Sequence, residues 1–501
     1  MSTQPSMMIT HITITRTKTS TFTERIRADS GFDLEHVGKK AAVQRCNLFH
    51  IIESTWIVVE HQWPQGNEGQ WFILPTCIRH VQDDTAFVVT RDILSNSSTD
   101  LEFFKVNDIA SLLLVPIRNP KVPSITIGFL SFTSNVPREW TPGDKVLLEL
   151  ARDLVSTTLC HPDIFINLDH EIVHLSATEV HARLSNEQHA TVDQIVVLFE
   201  KIRRQSKIKD LWMSFGMSAF KNKLARFIIS NQTIVMALPA FPFKSRNTNS
   251  NVIGTLPDMG EVLALANLNL FALQVSEVYP PGCKILVVSD GRVFNDLYPV
   301  SDVTVSVYTR YIHSLGQGQL QFIGLDQMFS SSTENQFKRD AIVQLYGGNV
   351  ETVNRKLKED AHFHQVYIAF KIHLRKDIGE LRRPAAEKAK IMMIRNDSYS
   401  ELVRLLFPHH VRLSIHDHSS AEKISVHLVG DSIITPWHGV AMKQKDGTWT
   451  ITRKKTALEM GCVLEDAMSS TSREDILCND LKSLNITQNQ FFSSLPFYRE
   501  I

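Results

Sequence analysis

The feature that most restricts this chain's fold is a strand–helix–strand spacing in its middle. Residues 231–238 form a buried apolar run stopped by Pro239, and residues 284–289 form a second that ends in Asp290 and Gly291. Between them, residues 257–279 read as a helix that opens on Pro257, suited to a first helical turn, and is closed by Pro280, Pro281 and Gly282. Strands that alternate with long helices predict a doubly wound α/β domain. Ligands of such sheets bind beyond the carboxyl ends of the strands, so the residues just after Ala237 and Val288 are the first candidates for a site.

The chain is too long, at 501 residues, for one hydrophobic core, and two or three domains are expected. Its 53 basic and 53 acidic side chains cancel, so no global basic field would hold nucleic acid or an anionic membrane. No apolar run reaches the roughly 18 residues that span a bilayer, and no basic-then-apolar leader opens the sequence. The six cysteines are scattered without a CxxC pair, which fits reduced thiols and a cytoplasmic protein.

Residues 1–25 read as a flexible Ser/Thr-rich arm. Strands follow at 51–60, 111–117 and 124–132, the last with Ile125, Ile127 and Phe129 on one face, and a hairpin loop is expected at 64–69. Thr141, Pro142 and Asp144 open a helix: Thr141 caps it, Pro142 takes the first position and Asp144 stands where a capping box needs its acid. Leu147, Leu150, Ala151, Leu154 and Thr158 share one stripe of that helix and pack it on the sheet. The order Ser-Leu-Leu-Leu-Val-Pro-Ile, Thr-Ile-Gly-Phe-Leu-Ser-Phe, then Trp-Thr-Pro-Gly-Asp before the helix resembles the end of a GAF domain. The resemblance implies a GAF-like α+β domain over 26–162, with a dimer-supporting role.

A polar linker is expected at 163–189 and a helix at 194–208, basic at its end through Lys201, Arg203, Arg204 and Lys207. Further on, 339–390 reads as helical, 392 onward as a strand or turn, and 400–407 as a short helix ended by Pro408. Strands are expected at 411–415, 424–429 and 449–453, and a tail at 486–501.

Several residues could carry chemistry. His170-Glu171-Ile172-Val173-His174 spells the HExxH pattern of zinc peptidases, but its surroundings give no clean amphipathic helix. The longer metalloprotease pattern also fails at Ala177 and Val180, so chance is the better account. Lys244 follows Pro239 and Pro242 in a stiff loop and could hold a phosphate or carboxylate, or be a solvated loop cation. Asp258 and Glu261 share a helix face, either as an acid/base pair or as acids at a helix N-terminus. Ser289 and Asp290 end a strand, Gly291 allows a tight turn there, and Arg292 offers an anion-binding fork. Arg395 and Arg412 are cations among apolar neighbours that need partners. His416 could titrate near neutrality, and with His409, His410 and His418 it forms no closed metal set.

Five ordered blocks then carry a specific resemblance. They are Leu-Pro-Ala-Phe-Pro-Phe-Lys at 238–244, Leu-Pro-Asp-Met-Gly-Glu at 256–261, Tyr-Pro-Pro-Gly at 279–282, Ser-Asp-Gly-Arg-Val-Phe at 289–294 and Val-Arg-Leu-Ser-Ile-His at 411–416. Together they resemble the isocyanide synthase family that includes the pyoverdine and dityrosine biosynthesis proteins. The resemblance implies a Rossmann-like synthase domain over 190–485. It implies an enzyme that joins the α-amine of an amino acid, tyrosine first, to ribulose 5-phosphate, whose carbon 2 becomes the isocyanide carbon, with no metal or other cofactor. Lys244, Ser289, Arg292, Arg395 and Arg412 would then bind substrates, and Asp258, Glu261, Asp290 and His416 would move protons. Relatives often act beside a separate iron, 2-oxoglutarate-dependent oxygenase; the oxygenase-like letters His161-Pro162-Asp163 lie in the connecting stretch and are discounted. The competing readings are an N-formyl product, a GAF-type sensor without catalysis, and a zinc peptidase through 170–174.

Overall fold

The computed structural model describes residues 37–39, 41–52, 56–64, 71–73, 86–90, 103–105, 107–119, 125–160, 164, 168, 170–207, 210–316, 318–329, 334–347, 349–465 and 495–500. The 1–25 arm, most of the 64–69 loop and His161-Pro162-Asp163 lie outside the described residues. In the N-terminal part, β1 (Arg45–Ile52), β2 (Trp56–Trp63), β3 (Trp71–Ile73), β4 (Phe87–Thr90), β5 (Ser111–Arg118) and β6 (Thr126–Ser134) form a sheet in the order β3-β2-β1-β6-β5-β4. All neighbours in it are antiparallel. The run expected at 51–60 spans the end of β1 and the start of β2.

Helix α1 (Pro142–Cys160) starts as its sequence dictates. Thr141 N donates to Asp144 Oδ2 at 2.9 Å, and Asp144 N donates to Thr141 Oγ1 at 3.1 Å. Its predicted stripe, from Leu147 to Thr158, is buried. What lies beneath it is more than its own sheet.

The central sheet has five parallel strands: β7 (Ile234–Pro239), β8 (Cys283–Ser289), β9 (Leu320–Gly324), β10 (Val411–Ser414) and β11 (Ile424–Ser425), ordered β11-β10-β7-β8-β9. The connecting helices are α2 (Ala177–Arg183), α3 (Asn186–Glu200), α4 (Met217–Ile229), α5 (Met259–Val278), α6 (Asp302–Leu315), α7 (Asn335–Tyr346), α8 (Val350–Glu359), α9 (Ala361–Asp377) and α10 (Arg382–Leu406). Because side chains alternate along a strand, Ile234, Met236, Leu238, Ile285 and Val287 share one core with α3, α4, α5 and α6. Val235, Ala237, Leu286 and Val288 face the other way, into a core formed with α7, α10 and the N-terminal helix α1. The core on the sheet's second face therefore extends into the N-terminal part, where α1 packs on residues 325–328 and α7. Thr157 Oγ1 of α1 also donates to the carbonyls of Gln327 and Met328, at 2.9 and 3.0 Å.

The segment 163–189, expected as a linker, holds α2 and the start of α3. Two capping boxes, Ser176 with Glu179 and Ser185 with Gln188, begin these helices, and Val180 and Leu184 join the core. Helix α3 stops at Glu200, and the basic residues after it leave the helix, Arg203 forming a bridge to Val426. Where a strand or turn was expected from 392, α10 runs unbroken for 25 residues. Met392, Met393, Tyr399, Leu402, Val403 and Leu406 are buried along it, and Ser398 Oγ satisfies itself on the carbonyl of Ile394 at 2.7 Å. Burial of that stripe overrides the turn preference of Asn396, Asp397 and Ser398. Helix α5 is long and apolar enough to cross a membrane, yet Leu265, Leu268, Phe271 and Val275 lie in the core and its first turn carries the buried Glu261.

A small third sheet is ordered β13-β12-β15-β14, from β12 (Val440–Lys443), β13 (Trp449–Thr452), β14 (Val463–Glu465) and β15 (Phe497–Arg499). The stretch expected as a tail at 486–501 thus supplies an inner strand. Its Tyr498 is buried with Val440, Met442, Ala457 and Cys462. Cys46, Cys283 and Cys462 are buried.

Candidate active site

The order of the parallel sheet reverses at β7, whose neighbours are β8 on one side and β10 on the other. That reversal opens a crevice beyond the carboxyl ends of β7 and β10. The loop after β7 lines it. Phe241 there holds a φ of 57°, a left-handed conformation rare for a bulky residue, and its ring lies 5.1 Å from that of Trp437. Gly291, expected to allow a tight turn, has another purpose: a Cβ on it would lie 2.2 Å from the carbonyl oxygen of Pro242. The β7 and β8 loops touch there only because that Cβ is missing.

Lys244 does not present its charge to the crevice. Its side chain is sealed, and Nζ donates to Glu261 Oε1 and Oε2 at 2.9 and 2.7 Å and to the carbonyl of Pro436 at 3.0 Å, with Asp258 Oδ2 at 2.9 Å. Glu261 also accepts from Tyr308 OH at 3.1 Å and from the backbone of Asp258 at 3.0 Å. Burial opposes the charge on Lys244, but Asp258 and Glu261 outweigh it and raise the ammonium's pKa. Burial pushes Glu261 up to about 7 against the pull of Lys244. The expectation of an anion-binding Lys244 is thus corrected: the prolines place the ammonium inward, onto the acids of α5.

Asp290 follows β8 at the crevice. Its Oδ1 is closed to solvent and has no hydrogen-bond partner, and burial raises its pKa to about 7. Tyr298, Tyr308 and Tyr399 surround it closely enough that, after burial, its charge helps to push all three phenols upward. Ser289 serves as a brace: its Oγ donates to Phe241 O at 3.2 Å and its carbonyl accepts from Tyr399 OH at 2.9 Å.

His416 lies just past β10, among neighbouring protein groups yet exposed to solvent. That enclosure, with Arg204 and Lys423 beside it, holds its pKa well below the ordinary value, so it is neutral at pH 7. Arg204 Nη1 donates to Ile415 O at 3.1 Å, while its buried Nε has no partner. Lys423 donates to Ser400 Oγ at 2.7 Å, and burial with Arg412 nearby lowers its pKa to about 8. Arg412 is held by the carbonyl and hydroxyl of Ser400 on α10, at 2.9 and 3.1 Å. His416 thus stands beside cations, and among the described residues no acid pairs with Arg204.

Two predicted anion-binding residues are framework. Arg292 is clamped by Asp302 at 2.9 Å, Asp326 at 3.0 Å and Ser306 at 2.5 Å. Arg395 donates to Asp296 at 2.6 Å and to the carbonyl of Val293 at 2.9 Å. Each short element carrying an acid nearby captured the guanidinium. The HExxH letters form a single turn, His170–Val173, whose Glu171 pairs at the surface with Arg183 at 2.8 Å. His410 is buried against Ile164 O at 3.1 Å and is pulled down to about 3 by burial.

Sequence reasoning missed Arg204, Lys423 and the three tyrosines, which share the site only through tertiary contacts. It also missed His373, Asp377 and His438, whose ligand atoms all lie within 4.8 Å of one another. The spacing of His373 and Asp377, four apart on one helix face, was a usable signal.

Residues 224–463 match a protein family described as pyoverdine/dityrosine biosynthesis protein. The chain is 34% identical over 268 residues to an L-tryptophan isonitrile synthase of Fischerella ambigua, covering 50% of this chain and 80% of that protein. It is 31% identical over 238 residues to an L-tyrosine isonitrile synthase of Xenorhabdus nematophila, covering 44% of this chain and 71% of that protein. The fold is similar to the crystal structure of PvcA from Pseudomonas aeruginosa, with a TM-score of 0.53 and 25% identity over 62% of this chain and 100% of that one.

Proposed function

The chain belongs to the pyoverdine/dityrosine biosynthesis family of isocyanide synthases, and from that membership we propose that it converts the amine of an amino acid to an isocyanide with ribulose 5-phosphate as carbon donor. The observation that carries the reading is Asp290, a half-buried carboxyl beside the crevice whose Oδ1 is closed to solvent without a hydrogen-bond partner, with a pKa raised by burial to about 7. A group so poised accepts and returns protons at neutral pH, which imine formation, dehydration and carbon–carbon cleavage each require. Arg204 and Lys423 suit the sugar phosphate, and neutral His416 beside them suits a second proton carrier.

The amino acid we propose is aromatic, tyrosine first; the names of the two relatives support it. The parallel sheet, read from β9 as strands 3-2-1-4-5, supports a Rossmann-like catalytic domain, and the antiparallel sheet with α1 supports a GAF-like one. The test is to incubate the purified chain with ribulose 5-phosphate labelled at carbon 2 and a mixture of amino acids. Label in an isocyanide carbon supports the reading. Label in an N-formyl group moves the assignment to the formylating alternative, and no transfer to any amino acid rejects synthase activity.

A further inference from the structure

We propose that His373, Asp377 and His438 bind a divalent transition-metal ion of the zinc class. His373 and Asp377 lie one turn apart at the end of α9, and His438 closes the short helix Pro436–His438. The ligand-capable atoms of the three lie within 4.8 Å of one another. His373 Nε2 and Asp377 Oδ2 stand 4.0 Å apart, and both are closed to solvent without any hydrogen-bond partner. Four ångströms is too long for a hydrogen bond between them. It is close to the spacing of two atoms that each reach about 2.1 Å to a shared ion, and tetrahedral ligands at that distance stand about 3.4 Å apart. Small rotations of two side chains would complete the set.

The outer atoms of Asp377 and His438 are already held, as they are in built metal sites. Asp377 Oδ1 accepts from Ser245 Oγ at 2.6 Å and from Asn251 Nδ2 at 2.5 Å, leaving only Oδ2 to face the imidazoles. Thr435 Oγ1 lies 3.0 Å from His438 Nδ1, which leaves the other ring nitrogen for the ion. The rings of His373 and His438 meet edge to face at 4.7 Å. Two imidazoles with one carboxylate are a donor set for zinc, cobalt, nickel or ferrous iron, not for magnesium or calcium, which take oxygen ligands. The inference departs from the metal-free expectation, and it does not depend on which reaction the chain performs.

The experiment uses the full chain, stripped by chelator and dialysed, then titrated with Zn²⁺ by calorimetry and with Co²⁺ by its visible absorption. Wild type should take up one ion per chain with the spectrum of a nitrogen- and oxygen-ligated cobalt. D377N and H438Q should lose that uptake while their metal-free melting curves stay near wild type. Ser245→Ala, which removes the outer hydrogen bond to Asp377 together with the acceptor of Asn247 N, should weaken binding by about ten- to a hundredfold, and keeps the test open should D377N fail to fold. A double variant at His170 and His174 should bind as wild type does. Wild type without stoichiometric uptake, D377N and H438Q binding normally, or loss only in the His170/His174 variant would each overturn the site.

Discussion

Lys244 and Glu261 are joined by two hydrogen bonds, at 2.9 and 2.7 Å, with both side chains closed to solvent. Asp258 sits on the same ammonium at 2.9 Å. A single cation therefore balances two buried carboxyls at the mouth of α5, and the crevice gains shape from it rather than an anion site.

Lys244→Met should destabilise the fold by about 3–5 kcal/mol, because it leaves buried acids without their counter-ion. Urea denaturation measures this directly. A variant of unchanged stability with a raised KM for ribulose 5-phosphate would instead place the ammonium on the substrate.

Asp290→Asn should lower turnover by about 10²–10⁴, the range for a lost acid/base group. Its stability should change in a pH-dependent way. Since burial raises the folded pKa to about 7, the native state keeps a proton that the unfolded chain releases near 3.9. Stability from this group is thus lost as pH rises from about 4 to about 7. D290N removes that loss and should be the more stable protein at pH 8, by on the order of a few kcal/mol. Chemical denaturation at pH 5 and pH 8 tests the sign, and wild-type turnover in D290N would remove Asp290 from the mechanism.

Phosphate binding between Arg204 and Lys423 should raise the pKa of His416, which burial lowers first and these cations lower further, because an anion offsets the cations. An NMR titration of its ring with and without ribulose 5-phosphate reads the shift. Binding should also weaken as pH rises through about 8, where Lys423 gives up its proton. Lys423→Met should abolish that pH dependence, and an unmoved His416 pKa would put the phosphate elsewhere.

A chain beginning at residue 185 should aggregate. It would expose Leu325, Met328 and the apolar side of α7, against which α1 packs, and each large apolar side chain there is worth about 1.5–3 kcal/mol when buried. Light scattering and dye binding measure the exposed surface. A soluble, monomeric, well-folded fragment would show that α7 and α10 suffice.

The parallel sheet was legible because doubly buried strands and a proline-bounded helix leave local marks. So was α1, whose capping residues are adjacent in sequence. Helix α10 was not, since Asn396, Asp397 and Ser398 read as a turn and only the distant surfaces it packs against decide otherwise. Among the site residues, Asp290 and His416 stand at strand ends as read. Lys244, Arg292 and Arg395 misled for one reason: a sequence shows a cation but not the acid waiting for it, and Asp258, Asp326 and Asp296 are brought there by tertiary structure.

Strand β8 sends Ile285 and Val287 into one core and Leu286 and Val288 into the other. Its amides are therefore released to solvent only when both layers open together, and their hydrogen exchange should run at the rate of global unfolding. The slowest protons in the protein would then be those that lead up to Asp290. A substitution in α1, far away in sequence, would be heard first as a quickening of that exchange, so deuterium uptake at β8 serves as a clock for both layers at once.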